Sequence, residues 1–156
     1  LLDRMGLTLN ENKTKLINAR KQSFDFLGFT VRYSRDLFVK SRKYWEIFSS
    51  RKSEAKVRER IRGYLDKGGH FAPEKVSYGL NSIIRGWLNY FDAGGISYMK
   101  MPKRRLRKYL MDTVHRYYNR KSQRKCRLYR QRAFEVLTIR YGLIDPAKYT
   151  ISSNSR

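Results

Sequence analysis

Residues 73–91 place the strongest constraint on how this chain folds. Pro73 stands where a first-turn proline favours a helix, and Glu74 suits the positive end of the helix dipole. Apolar side chains then recur at helical spacing within one wide arc: Val76, Leu80, Ile83, Ile84, Trp87, Leu88 and Phe91. Such a helix needs partners to cover its apolar side. The sequence therefore predicts a packed helical lobe in which Trp87 and Phe91 are core anchors.

Three other segments share this helical period. The first follows Ser53, which can cap it, and ends at Gly68-Gly69. The second spans about 102–120, and the third spans about 122–140, before Gly142 and Pro146. Each carries an apolar stripe, which predicts helices that pack against one another.

The N-terminal part of the chain has the alternation typical of strands. Residues 24–33 are rich in aromatic and β-branched side chains and form the best predicted strand, with residues 37–39 pairing back after a turn. The predicted fold class is mainly α, with a small antiparallel β-sheet over about 7–39 at the N-terminal end followed by a bundle of about four helices. We expect a strand region over 1–49, a helical region over 50–146 and a flexible tail over 147–156.

The charge of the chain predicts a polyanionic partner. The 156 residues include 36 Lys and Arg against 13 Asp and Glu, a formal charge of +23. Disorder is disfavoured because 40% of the residues are hydrophobic, and an acidic membrane is disfavoured because the apolar faces are better explained by mutual packing. The lone Cys126 fits a reducing compartment, and no apolar run approaches a membrane span. These features predict a cytoplasmic protein with no membrane partner.

The densest positive charge lies between Lys103 and Arg132, where 13 basic residues accompany one acid, Asp112. Tyrosines interleave with them, which suits phosphate contact and base stacking, although Tyr109 and Tyr117 fall on the apolar arc and are assigned to the core. With polar residues of the 73–91 helix added, the predicted RNA-binding residues are Asn81, Arg85, Asn89, Arg104, Arg107, Lys108, Arg116, Arg120, Lys121, Arg124, Lys125 and Arg127. For Arg85 and Asn89, a salt bridge or a solvated face explains the pattern equally well.

Two short motifs carry a family resemblance. Asn10-Glu-Asn-Lys13-Thr14 is followed by Phe26-Leu27-Gly28-Phe29, and Ile83-Ile-Arg-Gly-Trp-Leu-Asn-Tyr-Phe91 stands downstream. In this order they resemble the C-terminal part of the reverse transcriptases encoded by bacterial group II introns. The segment Arg140 to Pro146 also resembles the tails of such proteins, although a helix stop explains it equally well.

The resemblance implies specific roles for these motifs. Residues 1–49 would be the end of the polymerase palm, with the primer grip at Phe26, Leu27, Gly28 and Phe29, although plain sheet core is the alternative for the phenylalanines. Residues 50–146 would be the thumb, or maturase region (domain X). Gly86, which is costly inside a helix, would be a point of close packing.

No catalytic site is predicted. The Tyr-x-Asp-Asp strand of a reverse transcriptase is absent from the sequence, no two acids are adjacent, and His70 and His115 lack a zinc-binding spacing. We therefore assign no catalytic residue, metal or cofactor, and expect that the chain is not an enzyme on its own. Since it begins at Leu1 without an initiator Met, we expect a fragment.

The leading hypothesis is an RNA-binding maturase module that binds structured group II intron RNA to assist splicing. A DNA/RNA hybrid is a second candidate ligand, and the oligomeric state is left open. Two alternatives stand beside it. One is part of an active RNA-directed DNA polymerase whose palm lies upstream or on another chain, and the other is a generic basic nucleic-acid-binding protein.

Overall fold

The protein is described by a computed structural model that covers residues 17–36, 39, 41–69, 71–92, 97–120 and 125–150. Within these residues, three strands precede four helices, which confirms the predicted fold class. The strands are β1 (Phe24–Phe26), β2 (Phe29–Arg35) and β3 (Lys43–Ser49). The helices are α1 (Arg51–Lys67), α2 (Pro73–Phe91), α3 (Lys100–Tyr118) and α4 (Ala133–Tyr141).

The prediction of one long strand over 24–33 is wrong, because these residues form parts of two strands of a hairpin. β1 and β2 pair antiparallel with Phe26 opposite Phe29, so Leu27 and Gly28 alone form the turn. Both turn residues have positive φ, 49° at Leu27 and 84° at Gly28, as a type I′ hairpin turn requires. Gly28 adopts this conformation without strain, but Leu27 gives no sequence signal for it.

The third strand lies later in the chain than predicted. β3 pairs antiparallel with the whole of β2, from Arg35 opposite Lys43 to Phe29 opposite Ser49. The predicted returning strand over 37–39 is not found at Val39, and Leu37 and Phe38 lie outside the described residues, as do the expectations for residues 1–16. The order of the sheet is β1-β2-β3.

The sheet leads directly into α1, so the helix begins one turn earlier than predicted. Ser50, not Ser53, is the N-cap, and its side-chain oxygen accepts a hydrogen bond from the Ser53 N–H at 3.2 Å. The carbonyl of Gly28 accepts two hydrogen bonds from this first turn, from Ser50 N at 2.8 Å and from Ser53 Oγ at 2.9 Å. The hairpin turn is therefore fixed to the start of α1.

The core is formed by the facing sides of the four helices. α2 packs against α1 and α4, and α3 packs against the same two helices. Their buried positions include Ile61, Leu80, Ile84, Leu88, Leu110 and Val114, all fully buried. The predicted anchors are confirmed, since Trp87 is 8% exposed and Phe91 is 6% exposed.

The last predicted helix is shorter in the structure. α4 begins at Ala133, whereas residues 125–130 form turns, and the left-handed Gly142 (φ 64°) ends the helix as predicted. Two contacts explain the difference. The Arg130 N–H donates to Oδ1 of Asn119 at 3.0 Å, and Leu128 is inserted into the core. These tertiary contacts thus stabilise turns where the spacing of the apolar residues predicts a helix.

The C-terminal segment is packed further than predicted. The hydroxyl of Tyr149 donates to Oδ1 of Asn89 at 2.8 Å, and Nζ of Lys103 donates to the Tyr149 carbonyl at 2.9 Å. Tyr149 is therefore held against α2 and α3. The flexible tail over 147–156 as a whole stays a prediction. The rest of the predicted tail, 151–156, lies outside the described residues.

Close packing of α1 on α2 depends on a glycine that sequence reasoning did not single out. A Cβ added at Gly79 would lie 2.1 Å from Cζ of Tyr64, whose hydroxyl donates to the Lys75 carbonyl at 2.7 Å. We expect Gly79→Ala to lower the free energy of unfolding by about 1–3 kcal/mol, because the Tyr64 ring must leave its site. Urea unfolding measures this change.

Two further variants control this prediction. Gly63→Ala changes another mid-helix glycine, but its Cβ would meet nothing within 4 Å, so its stability should be unchanged or higher. Adding Tyr64→Leu to Gly79→Ala should recover part of the loss by removing the clash. Equal stabilities of the two alanine variants would show that Tyr64 does not constrain this position.

Candidate nucleic-acid interface

The two family motifs, far apart in sequence, meet in the structure. A Cβ added at Gly28 would lie 2.8 Å from Oγ of Ser53 and 3.2 Å from Cζ of Phe91. The ring of Phe29 packs on Phe91 with centroids 4.8 Å apart, and the hydroxyl of Tyr90 donates to the Leu27 carbonyl at 3.0 Å. The hairpin turn and the C-terminal end of α2 are therefore one packed unit.

The tip of the hairpin presents apolar side chains to solvent. Phe26 is 62% exposed and Leu27 is 69% exposed, whereas Phe29 is half-buried against α2. The sheet-core alternative therefore fits Phe29 but not Phe26. The assignment of Phe26, Leu27, Gly28 and Phe29 as a primer grip stays a prediction.

The polar side of α2 contains one outward cation and two amides that form hydrogen bonds within the protein. Arg85 is exposed. Asn81 instead joins α2 to the segment after α4, because its Nδ2 donates to the Gly142 carbonyl and its Oδ1 accepts from the Ile144 N–H, both at 2.8 Å. Asn89 accepts from Tyr149, as described above. Sequence reasoning missed these structural roles because both partners lie about 60 residues downstream; RNA contact at either amide stays a prediction.

The cations of α3 also divide into outward and internal groups. Arg104, Lys108 and Arg116 are exposed. Arg107 is a structural cation: its Nε donates to Oδ2 of the buried Asp145 at 2.9 Å, and its guanidinium lies over the Phe134 ring. Arg107 is thus paired within the protein although its side chain is 41% exposed, and RNA contact at this residue stays a prediction.

The segment after α3 adds further predicted cations. Lys125 and Arg127 are exposed, and Lys121 and Arg124 lie outside the described residues. Arg120 is exposed but pairs with Asp66 at 2.8 Å. Six predicted cations are exposed and form no ion pair within the described part of the chain. We call them the outward cations: Arg85, Arg104, Lys108, Arg116, Lys125 and Arg127.

The tyrosines among these cations mostly belong to the core. Tyr109 donates to the Arg58 carbonyl at 3.1 Å, and Tyr117 is 1% exposed, so their core assignment is confirmed. Tyr118 is equally buried and cannot present a ring to an RNA base, contrary to the interleaved pattern. Burial raises the pKa of the Tyr118 hydroxyl far above its usual range, so this group stays protonated. Tyr129 is only half-buried.

Some acidic side chains are paired within the protein, although Asp112 lies exposed on α3. The buried carboxylate of Glu54 accepts from Nε of Arg105 at 3.0 Å and from Nη2 of Arg105 at 2.5 Å, which joins α1 to α3. These hydrogen bonds raise the pKa of Arg105. Asp92 pairs with Lys103 at 2.5 Å. Internal pairing therefore neutralises part of the acidic charge of the chain.

A further set of exposed cations, on α1, was not predicted. Lys52, Lys56, Arg60 and Arg62 are exposed. Lys56 and Arg60 are four residues apart, so they lie on the same side of the helix. The i, i+4 spacing of Lys56 and Arg60 was visible in the sequence. The cations between Lys103 and Arg132 were assigned instead because they are more densely clustered.

A comparison with known protein families identifies the family to which the helical lobe belongs. The family described as group II intron, maturase-specific domain matches residues 42–132, which is more than half of the chain. The chain belongs to this family. The matched part of the maturase domain begins at β3 and contains α1, α2 and α3 with all six outward cations, which confirms the resemblance to the maturase region. The bounds of 50–146 stay a prediction. A comparison with curated proteins finds no match.

The maturase-specific domain is not itself a polymerase domain. Within the described ranges, no group of three or more His, Cys, Asp or Glu side chains is placed to hold a metal ion. None of the described helices has both the length and the apolar character needed to span a membrane. The maturase assignment therefore rests on the family match and on the helical lobe.

Proposed function

We propose that this maturase domain binds structured group II intron RNA through the phosphate backbone and stabilises the folded intron for splicing. One observation carries the proposal. α2 directs Trp87 into the core and Arg85 outward, and the six outward cations have no acidic partner among the described residues. Side chains of this kind are suited to neutralising phosphates.

The mechanism we infer is binding rather than chemistry by the protein. Phosphate contacts provide affinity and fix the register of the protein on the RNA. The helices are joined by buried contacts such as Glu54 with Arg105, so the cations are held on a rigid scaffold. Binding energy then favours the folded intron, and the RNA performs the splicing reaction. On this proposal, the chain is not an enzyme on its own.

Charge reversal at α3 tests the proposal. We expect Arg104→Glu with Lys108→Glu to weaken binding of folded intron RNA about a hundredfold or more, because each lost contact to a charged group is worth about 1.5 kcal/mol or more. Fluorescence anisotropy with labelled intron RNA measures the affinity. Arg107 is left unchanged because it pairs with Asp145.

The matched control reverses two cations at the far end of the sheet. Arg35→Glu with Lys43→Glu makes the same change in net charge at two exposed, paired positions of β2 and β3. This variant should bind nearly as tightly as the unaltered protein. Equal losses in both double variants would indicate a response to net charge alone and would remove the α3 surface from the proposal.

Specificity for the intron is tested by comparing the affinities for two RNAs. The unaltered protein should bind folded intron RNA more tightly than random RNA of equal length at raised salt. Equal affinities would favour the generic nucleic-acid-binding protein instead.

The exposed hairpin tip favours a second candidate function. Phe26 and Leu27 are apolar, exposed and held rigidly beside α2, as a surface that supports a primer strand would be. The chain would then be part of an RNA-directed DNA polymerase whose palm is encoded upstream or on another chain. The reading frame upstream of Leu1 tests this, because it would have to encode the Asp-Asp strand of the palm.

A further inference from the structure

Gly86 has no packing partner, contrary to the expectation from the sequence. A Cβ added at Gly86 would meet nothing within 4 Å, and the residue is exposed in the middle of α2. Gly79, two turns earlier on nearly the same side of the helix, is instead covered by Tyr64. Glycine is unfavourable inside a helix. Intramolecular packing explains its presence at Gly79 but not at Gly86.

The open position at Gly86 forms part of a groove between α1 and α2. The groove has a volume of about 350 Å³, and its walls include Lys56, Arg60, Gly86, Trp87, Tyr90 and Phe91. Lys56 and Arg60 are exposed, form no ion pair with any described residue, and lie about 6 Å apart along α1. This separation is comparable with the spacing of successive phosphates in one strand.

We propose that this groove holds the sugar–phosphate backbone of one RNA strand, with Lys56 and Arg60 on successive phosphates and Gly86 leaving room for a ribose. The inference deepens the proposed function and rests on it. The two cations favour a polyanion, because the groove lining among the described residues contains no acid. The missing side chain at Gly86 allows a ligand to approach the helix backbone closely.

The aromatic wall fits the same ligand. Trp87 lines the groove beside Gly86 and Phe91 and gives this wall an apolar, aromatic surface. Tyr90 is 56% exposed, stacks on Phe29 and lies at the end of the groove nearest the hairpin.

The groove is continuous with the hairpin tip. Ser53 lines the groove and donates to the Gly28 carbonyl, and Tyr90 donates to the Leu27 carbonyl. A strand that leaves the groove at Tyr90 therefore meets the exposed Leu27 and Phe26. The α1 cations and the hairpin tip would then lie along one path of the RNA strand.

Substitution of Gly86 separates binding from stability. Gly86→Ala should raise the melting temperature, because alanine favours the helix and its Cβ meets no neighbour, and yet it should weaken RNA binding several-fold. Gly86→Leu should weaken binding about tenfold, the loss expected when one strong contact is removed. The probes are a labelled RNA hairpin and a single-stranded RNA of the same length, measured with the full chain by anisotropy and thermal unfolding.

The control is Gly63→Ala, the mid-helix glycine of α1 that has equally open space but lies outside the groove lining. It should raise the melting temperature in the same way and leave RNA affinity unchanged. In a second variant, Lys56→Gln with Arg60→Gln should reduce the magnitude of the salt slope of binding by roughly 1.4–1.8, the contribution of two phosphates.

The outcomes distinguish this inference from the proposed function. If the unaltered protein binds RNA and both Gly86 variants bind equally well, the groove is not the binding path, and the proposed function stands. If the unaltered protein binds no RNA, both proposals fail. Because Gly86→Ala is expected to be at least as stable as the unaltered protein, it decides the question even if Gly86→Leu fails to fold.

Discussion

Raising the salt concentration from about 50 to 200 mM should weaken binding of folded intron RNA about 10³-fold. The expectation follows from the six outward cations, each of which can neutralise one phosphate and release its counterions. In a plot of log affinity against log salt, these six contacts should contribute a slope of about −4 to −5, to which contacts at Lys56 and Arg60 would add. Anisotropy titrations at several salt concentrations measure this slope.

Single variants assign the slope to particular residues. Lys108→Ala should reduce its magnitude by roughly 0.7–0.9, the contribution of one phosphate. Arg35→Ala, at the exposed far end of β2, should leave it unchanged. A slope near −1 for the unaltered protein would mean that most of the outward cations do not contact RNA.

Trp87→Ala should lower the free energy of unfolding by about 3–5 kcal/mol, the usual cost of removing a large aromatic side chain from a core. The ring is 8% exposed, and its centroid lies 5.3 Å from that of Phe91, which in turn packs on Phe29 and the hairpin. Its loss would thus leave a cavity where α2 meets the sheet. Urea unfolding, followed by far-UV circular dichroism, measures the change.

Two matched variants isolate the effect of the cavity. Trp87→Phe keeps an aromatic ring beside Phe91 and removes the unpartnered indole N–H, so it should cost clearly less than alanine. Arg85→Ala changes the opposite side of the same helix and should alter stability by no more than about 0.5 kcal/mol. If Arg85→Ala and Trp87→Ala were equally destabilising, the orientation of α2 described above would be contradicted.

The helices were the most predictable part of the fold. Val76, Leu80, Ile84 and Leu88 recur at the helical period and are all fully buried, so the sequence pattern and the tertiary structure favour the same element. For α4, the sequence pattern and the tertiary structure favour different elements. The apolar residues in the first half of the predicted helix have helical spacing, but insertion of Leu128 into the core and the hydrogen bond from Arg130 to Asn119 hold the chain in turns.

The sheet was less predictable because its turns lack strong signals. Leu27 adopts a positive φ without being Gly, Asn or Asp, so the two-residue turn within 24–33 was not recognised. β3 was missed because its pairing with β2 spans an intervening segment, and local alternation contains no information about such a partner.

The residue types of the candidate site could be predicted from the sequence, but the contacts of each residue could not. The sequence showed which residues are cationic, but only the fold shows that Arg107 pairs with Asp145, whereas Arg104 and Lys108 extend outward. Likewise, Gly79 and Gly86 are indistinguishable as helix glycines, and only the position of Tyr64 separates them. Long-range contacts of this kind are not encoded in local periodicity.

The two hydrogen bonds that the Gly28 carbonyl accepts from Ser50 and Ser53 tie the hairpin to the first turn of α1. Displacing the tip relative to this helix would therefore require both bonds to break. A change of sequence at the first turn of α1 would in this way also alter the position of Leu27.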